Sequence, residues 1–362
     1  MSTATSPAPQ TANRNPVDWG VAVATAQRLV KPGPSVPIEE AELAVAQLRG
    51  ATDLAETHVR ELTGLGLDLP LYPGDVVDRR RWVEAAAEGL AALTDGALPV
   101  GPNRPMGGVM AGSAGVQAGM VLAFLGGRVL GQYDPFGGDR PGGRLLLVAP
   151  NIMAAQRALD VPAEDFQMWV CLHESTHRLQ FTAVPWLRDY FAGEVAAFLT
   201  GLDETATGAF TKLPEVMKQI RRRSEDPADP GSSGPIGLVE LLQSPKQRAV
   251  FDRLIALSTL LEGHADHVMD AVGPTVVPSV ATIRARFTAR RRGGGMLDRI
   301  LRTLLGVDAK VKQYAAGAAF TRYVVDEVGM TGFNRVWESP ETVPLRAEIA
   351  DPAAWVRRIH GR

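Results

Sequence analysis

Two histidines four residues apart, with a glutamate directly after the first, stand in the stretch His173-Glu174-Ser175-Thr176-His177. On an α-helix, residues i and i+4 lie about 40° apart around the axis, so both imidazoles can reach one metal ion. Glu174 projects to the side of that pair, close enough to hold a water beside the metal. H-E-x-x-H is the pattern of a helix that offers zinc two ligands and a carboxylate as general base. Zinc is therefore the expected cofactor.

A catalytic zinc takes three protein ligands and leaves its fourth position to water. The other histidines are His58, His264, His267 and His360, and two of them fall in the segment Leu261-Glu-Gly-His-Ala-Asp-His-Val-Met-Asp270. Glu262 and Asp266 stand at i and i+4 on one face of that helix. This spacing predicts Glu262 as the third ligand, with Asp266 one turn on as acceptor for the outer N–H of a ligand histidine. His267 lies at an intermediate angle and is the alternative third ligand, or a group that polarises the substrate. Gly263 costs roughly 1 kcal/mol of helix stability relative to Ala. A tight approach of this helix to the motif helix would explain its use. Tyr190, Tyr314 and Tyr323 join His267 as candidate donors to a developing oxyanion.

The elements that must carry these residues are mostly helical. Helical patterning is expected over residues 17–29, 37–64, 78–93, 151–159, 161–181, 186–202, 208–223, 247–272, 279–292, 296–305 and 309–327. The Gly- and Ala-dense stretch 106–125 holds small residues at helical spacing and predicts close helix packing. The Arg79-Arg80-Arg81 run is expected to be a solvated face. Residues 128–133 and 144–148 are short apolar runs separated by turn formers, which predicts a hairpin or small sheet. The run 144–148 lies just upstream of the motif helix; if it is an edge strand, an extended substrate would pair with it. The fold class is mainly α with a small β element, an α+β arrangement. Residues 1–15 are read as a disordered tail and 16–362 as one domain, with a helical part plus hairpin over 16–150 and a metal-site part over 151–362. A Pro/Gly/Ser-rich loop covers 224–235, and Gly293-Gly-Gly295 reads as a hinge.

Composition narrows the function further. The chain has 362 residues, 45% hydrophobic and 22% charged, with 38 basic against 40 acidic side chains. That balance gives no reason to expect nucleic acid or an anionic membrane as a bulk partner. The single cysteine, Cys171, excludes an internal disulfide framework, fits the cytoplasm, and is expected to pack as a small apolar residue. The apolar run 116–130 is short and interrupted, so no membrane-spanning segment is expected. Neither phosphate-cradling glycine loop, G-x-G-x-x-G or G-x-x-x-x-G-K-[ST], occurs, so no nucleotide cofactor site is expected. A serine nucleophile elbow is likewise missing. Glu174-x-x-His177 also matches one half of a di-iron carboxylate site, but no second E-x-x-H exists.

H-E-S-T-H followed by E-x-x-x-D on a later helix resembles the gluzincin class of zinc metallopeptidases. The early Val17-Asp-Trp19, the block Leu172-His-Glu-Ser-Thr-His-Arg-Leu-Gln-Phe181 and the block Leu261–Asp270 resemble the DUF2342 family of zincin-like metalloproteases. Within that family the chain is similar to a subgroup associated with coenzyme F420 biosynthesis. The resemblance covers the chain from Val17 onward and implies a zincin-like core with extra helices. It also implies zinc on His173, His177 and Glu262, catalysis by Glu174, and a peptide or protein substrate. Two departures stand out. Glu262 stands 85 positions after the second histidine (262 − 177), farther than gluzincins usually have, and Arg178 follows the second histidine where an uncharged residue is common. Arg178 is expected to reach outward or to pair with Asp189. The rival reading is a catalytically silent zincin-fold binding or scaffold protein.

Overall fold

The computed structural model describes residues 17–95, 107–138, 140, 142–201, 245–292 and 307–361. The expected tail 1–15, helices 208–223 and 296–305, loop 224–235 and hinge 293–295 lie outside the described residues.

The first helix, α1 (Trp19–Leu29), begins at Asp18, whose carboxylate accepts the Val21 N–H at 3.0 Å. This satisfies one of the free donors of the first turn. α2 (Ile38–Thr63) stops at Gly64, whose φ of 72° lies in the left-handed region that glycine tolerates. α3 (Arg79–Thr94) is capped by Asp78, which accepts the Arg81 N–H at 2.7 Å. In the arginine run, Arg80 and Arg81 are exposed, but Arg79 donates to Asn151 Oδ1 at 2.7 Å and to the carbonyls of Lys31 and Pro32. It ties three segments together. α4 (Gly107–Gly126) packs on α1, and a Cβ at Gly115 or Gly119 would come within 2.5 Å of the Asp18 or Ala22 backbone oxygen. The small residues of α4 therefore serve the close helix packing that their spacing predicted.

Three strands form the sheet: β1 (Asp75–Val77), β2 (Gly131–Asp134) and β3 (Arg144–Val148), in the order β1-β3-β2. β2 and β3 pair antiparallel, as the expected hairpin, and β1 pairs parallel to β3 on its other side. β3 does not meet the condition of being an edge strand that an extended substrate would pair with. β3 is central and all five of its residues are buried, the state that a near-continuous apolar run is suited to. The edges are β1 and β2. Leu145 and Leu147 enter one core with Leu48, Phe166, Leu172 and Leu179, while Leu146 and Val148 enter a second with Ala22, Trp82, Val83 and Leu122. The sheet thus separates a layer of α1, α3 and α4 from a layer built on α2 and the motif helix.

The second layer continues with α5 (Ala149–Leu159), the motif helix α6 (Ala163–Ala183), and α7 over residues 187–201. Next come α8 (Pro245–Ala271), α9 (Val280–Arg292) and α10 (Val307–Phe333), which is broken at Gly329. Short helices including α11 (Arg346–Ala350) and α12 (Pro352–His360) close the described chain. The fold is mainly α with a small sheet. No helix among the described residues is long and apolar enough to cross a membrane. Cys171 is buried, with its sulfur 3.8 Å from Thr52 Oγ1.

A buried ion network holds α6 against α2. Arg178 pairs with Glu56, and Glu56 also accepts from Arg60 Nε at 3.2 Å. Arg178 donates to the Tyr72 carbonyl, and Arg60 to the carbonyls of Gly66, Leu69 and Pro70. Arg178 is 3% exposed and Glu56 1%. The expected outward reach of Arg178, or a pair with Asp189, is therefore wrong: Asp189 pairs with its neighbour Arg188 at 3.5 Å. The Arg178 guanidinium lies this deep beside the Glu56 carboxylate, with the Tyr72 carbonyl taking one of its donors.

Candidate metal centre

α6 and α8 pack against each other and bring together the segments that hold the candidate ligands. His173 Nε2 and His177 Nε2 are 3.1 Å apart. Glu262 Oε2 lies 3.6 Å from the first and 3.8 Å from the second. A circle through three points with those separations has a radius of about 2.0 Å, which is the zinc–nitrogen and zinc–carboxylate bond length. Two imidazoles and one carboxylate are also the donor set of a catalytic zinc site. The residues fit the ion. Their side chains are 25%, 15% and 28% exposed, so the cluster is sheltered but reachable. His267 is not a member of this cluster.

Glu174 lies on the same helix, 6% exposed, directly beneath the edge strand β2. The Tyr133 N–H of β2 donates to its carboxylate. Gly131 permits this approach: a Cβ there would stand 2.6 Å from Glu174 Cγ and 2.8 Å from Oε1. Burial pushes the Glu174 carboxyl up to about 7, with His177 pulling it down and Glu262 pushing it further up. His177 goes the same way for a different reason. Burial works against its charged form, but the Glu262 and Glu174 carboxylates prevail and hold it up at about 9.

The groups around the two imidazoles differ from the expected ones. His177 Nδ1 faces Gln180 Oε1 at 2.8 Å, and His173 Nδ1 lies 3.3 Å from Met269 Sδ. The Asp266 carboxylate is turned instead to Arg284 of α9, at 3.2 Å. Arg284 bridges it to Asp270, which explains why helical spacing alone misplaced it. His267, expected as alternative ligand or polarising group, is partly buried and its pKa is lowered, chiefly by burial and then by Arg322, while Asp270 and Asp326 oppose. Tyr190 packs on Trp186 and interacts with Glu194 and Arg253. Tyr323 is exposed, and the side chain of Tyr314 lies outside those described.

Sequence reasoning missed Gly131, Gln180 and Met269. Gln180 carried a signal, since it stands at i+3 from His177 and so on the same helix face. Gly131 carried none, because its role depends on a sheet crossing α6. Gly263 is needed for a close approach, though not to α6: a Cβ there would stand 2.1 Å from the backbone carbon of Gly317 on α10.

A cavity of about 530 Å³ lies elsewhere, at the β1 edge, and is lined by Arg49, Asp53, Asp75, Arg81, Arg140 and Arg144 among others. It shares no lining residue with the cluster. Arg81, Arg140 and Arg144 are already paired with Glu84, Asp75 and Asp134, so the chemistry stays with the histidines.

A family profile described as Zincin-like metallopeptidase matches residues 17–356. No curated protein matches. A solved structure from Chloroflexus aurantiacus, described as that of a "putative hydrolase with a novel fold", is 32% identical with a TM-score of 0.64, over 96% of this chain and 99% of that one. The chain belongs to the zincin-like metallopeptidase family.

Proposed function

We propose that the protein is a zinc-dependent hydrolase that cleaves an amide bond in a peptide or protein. The observation that carries the reading is the convergence of His173 Nε2, His177 Nε2 and Glu262 Oε2 on one point, with Glu174 beside them. Bound there, zinc would supply Lewis acidity toward the scissile carbonyl and an acidified water. Glu174 takes the proton of the attacking water on its carboxylate and returns it to the leaving nitrogen. A carboxyl raised toward neutrality by burial suits both transfers.

β2 supplies orientation. Val148 N–H bonds to the Leu130 carbonyl, so the backbone groups of Leu130, Gln132 and Asp134 face β3 and those of Gly131 and Tyr133 face the free edge. An extended substrate pairing with that edge lies alongside Glu174. The reaction is assigned to a single zincin-like domain over residues 16–362 and to the cytoplasm, where one buried thiol stays reduced. An association with coenzyme F420 biosynthesis rests on the resemblance of the two motif blocks and names no bond.

Peptide-library cleavage by the zinc-loaded protein tests the reading. Wild type cleaves, and Glu174→Gln retains zinc but loses activity by several orders of magnitude. Activity surviving in Glu174→Gln removes the general base. Absence of cleavage in wild type with zinc bound favours a binding or scaffold role.

A further inference from the structure

Gln180 is fully buried and touches three groups, one on its own helix and two on α8. Its Oε1 lies 2.8 Å from His177 Nδ1. Its Nε2 lies 2.9 Å from the carbonyl oxygen of Leu261 and 3.1 Å from His264 Nδ1. The Leu261 carbonyl can only accept, so the side-chain atom facing it must be the NH₂. Every other proton position then follows. The amide oxygen faces His177 and accepts, so His177 carries a proton on Nδ1, and Nε2 is the nitrogen left to face Glu262. The second N–H of the amide points at His264 Nδ1, which must accept, so His264 carries its proton on Nε2.

His264 Nε2–H has no acceptor among the described residues, and the ring is fully buried, stacked on Phe333 at 5.1 Å and near Trp337 at 5.6 Å. A buried N–H without a partner is costly, and an apolar ring would fill this aromatic box without that cost. What the histidine adds is an acceptor for Gln180. Leu261 immediately precedes the candidate ligand Glu262. One amide therefore spans from the outer nitrogen of a ligand on α6 to the backbone beside a ligand on α8.

We propose that Gln180 is a positioning residue that sets the proton of His177 on Nδ1 and ties it to the helix turn carrying Glu262, with His264 holding the amide in the required orientation. The link rests on the metal-centre reading, since it orients the ligands of that centre. It fixes an imidazole in the form that presents Nε2 to a cation and holds the third ligand in register. An acceptor alone would do the first of these. The donor half of the amide does the second.

Long-range ¹H–¹⁵N correlation spectra of the metal-free wild-type protein test the arrangement without any activity. The expected result is a single Nε2–H on His264 and an exchange-protected Nδ1–H on His177. A proton on His264 Nδ1, or a neutral His177 protonated on Nε2 alone, overturns it. Zinc affinity by chelator competition tests the coupling. Gln180→Met lowers it about 10- to 100-fold. Gln180→Glu keeps an acceptor at His177 but turns an oxygen toward the Leu261 carbonyl and His264 Nδ1, so affinity also falls. Affinity in Gln180→Glu equal to or above wild type overturns the link between helices. If Gln180→Met does not fold, the wild-type spectra and the Glu variant still decide. A wild type with the expected protons but no zinc uptake refutes the hydrolase reading and leaves the amide arrangement standing.

Discussion

His177 and Arg178 are neighbours in sequence, about 100° apart around the same helix, and face different partners. On one face the Arg178 guanidinium joins Glu56 and Arg60, all within a tenth of full exposure, and its charge is answered by the carboxylate and by the Tyr72 carbonyl. On the other, His173, His177 and Glu262 crowd three possible ligand atoms within 4.8 Å of one another, partly open to solvent. The first cluster is closed and its charges are paired with one another, and its work is to hold α6 against α2. The second converges on a point that a cation would fill. Burial and mutual satisfaction mark a structural network, whereas convergence of acceptors with access from outside marks a site for chemistry.

The sharpest way to break this contrast is on the closed face. Glu56→Ala leaves two buried guanidinium groups without their carboxylate, and chemical denaturation should register a loss of about 3–5 kcal/mol. A loss below about 1 kcal/mol would mean that the network is solvated and the contrast false. A smaller effect is expected at Gly263. Ala there pushes its Cβ into the Gly317 backbone, so α8 and α10 separate and stability falls by about 1–3 kcal/mol. Because the displaced turn carries Glu262, zinc affinity measured by competition should fall with it. Full affinity in Gly263→Ala would show that the glycine pair serves packing alone. The smallest effect belongs to Asp266→Asn, which loses a partly exposed pair with Arg284, worth about 0–1 kcal/mol, and leaves zinc binding unchanged. A marked drop in zinc affinity would restore Asp266 as the partner of a ligand histidine.

The same contrast explains what could be read from the sequence. The metal cluster was legible because a metal imposes fixed residue types at helical spacings, and His173, Glu174, His177 and Glu262 obey them. The main helices followed from apolar periodicity. The Arg178 network was hidden, since an arginine in an apolar helix gives no sign of a Glu56 lying 122 residues earlier. β1 was hidden too, being three residues long and defined by a parallel partner far along the chain. Asp266 was misread because one-turn spacing fixes a face of α8 but not which neighbouring helix, α6 or α9, claims the side chain. Gln180 and Gly131 depend on how α8 and β2 cross α6, a relation no single stretch of sequence contains.

The central claim is that the open face of α6 holds zinc through His173, His177 and Glu262. Elemental analysis of purified wild type, His173→Ala and Glu262→Ala measures it directly. The account predicts about one zinc per folded chain in wild type and a small fraction of that in either variant, with the fold retained by circular dichroism. Zinc unchanged in both variants, or none in wild type after incubation with the ion, would contradict it.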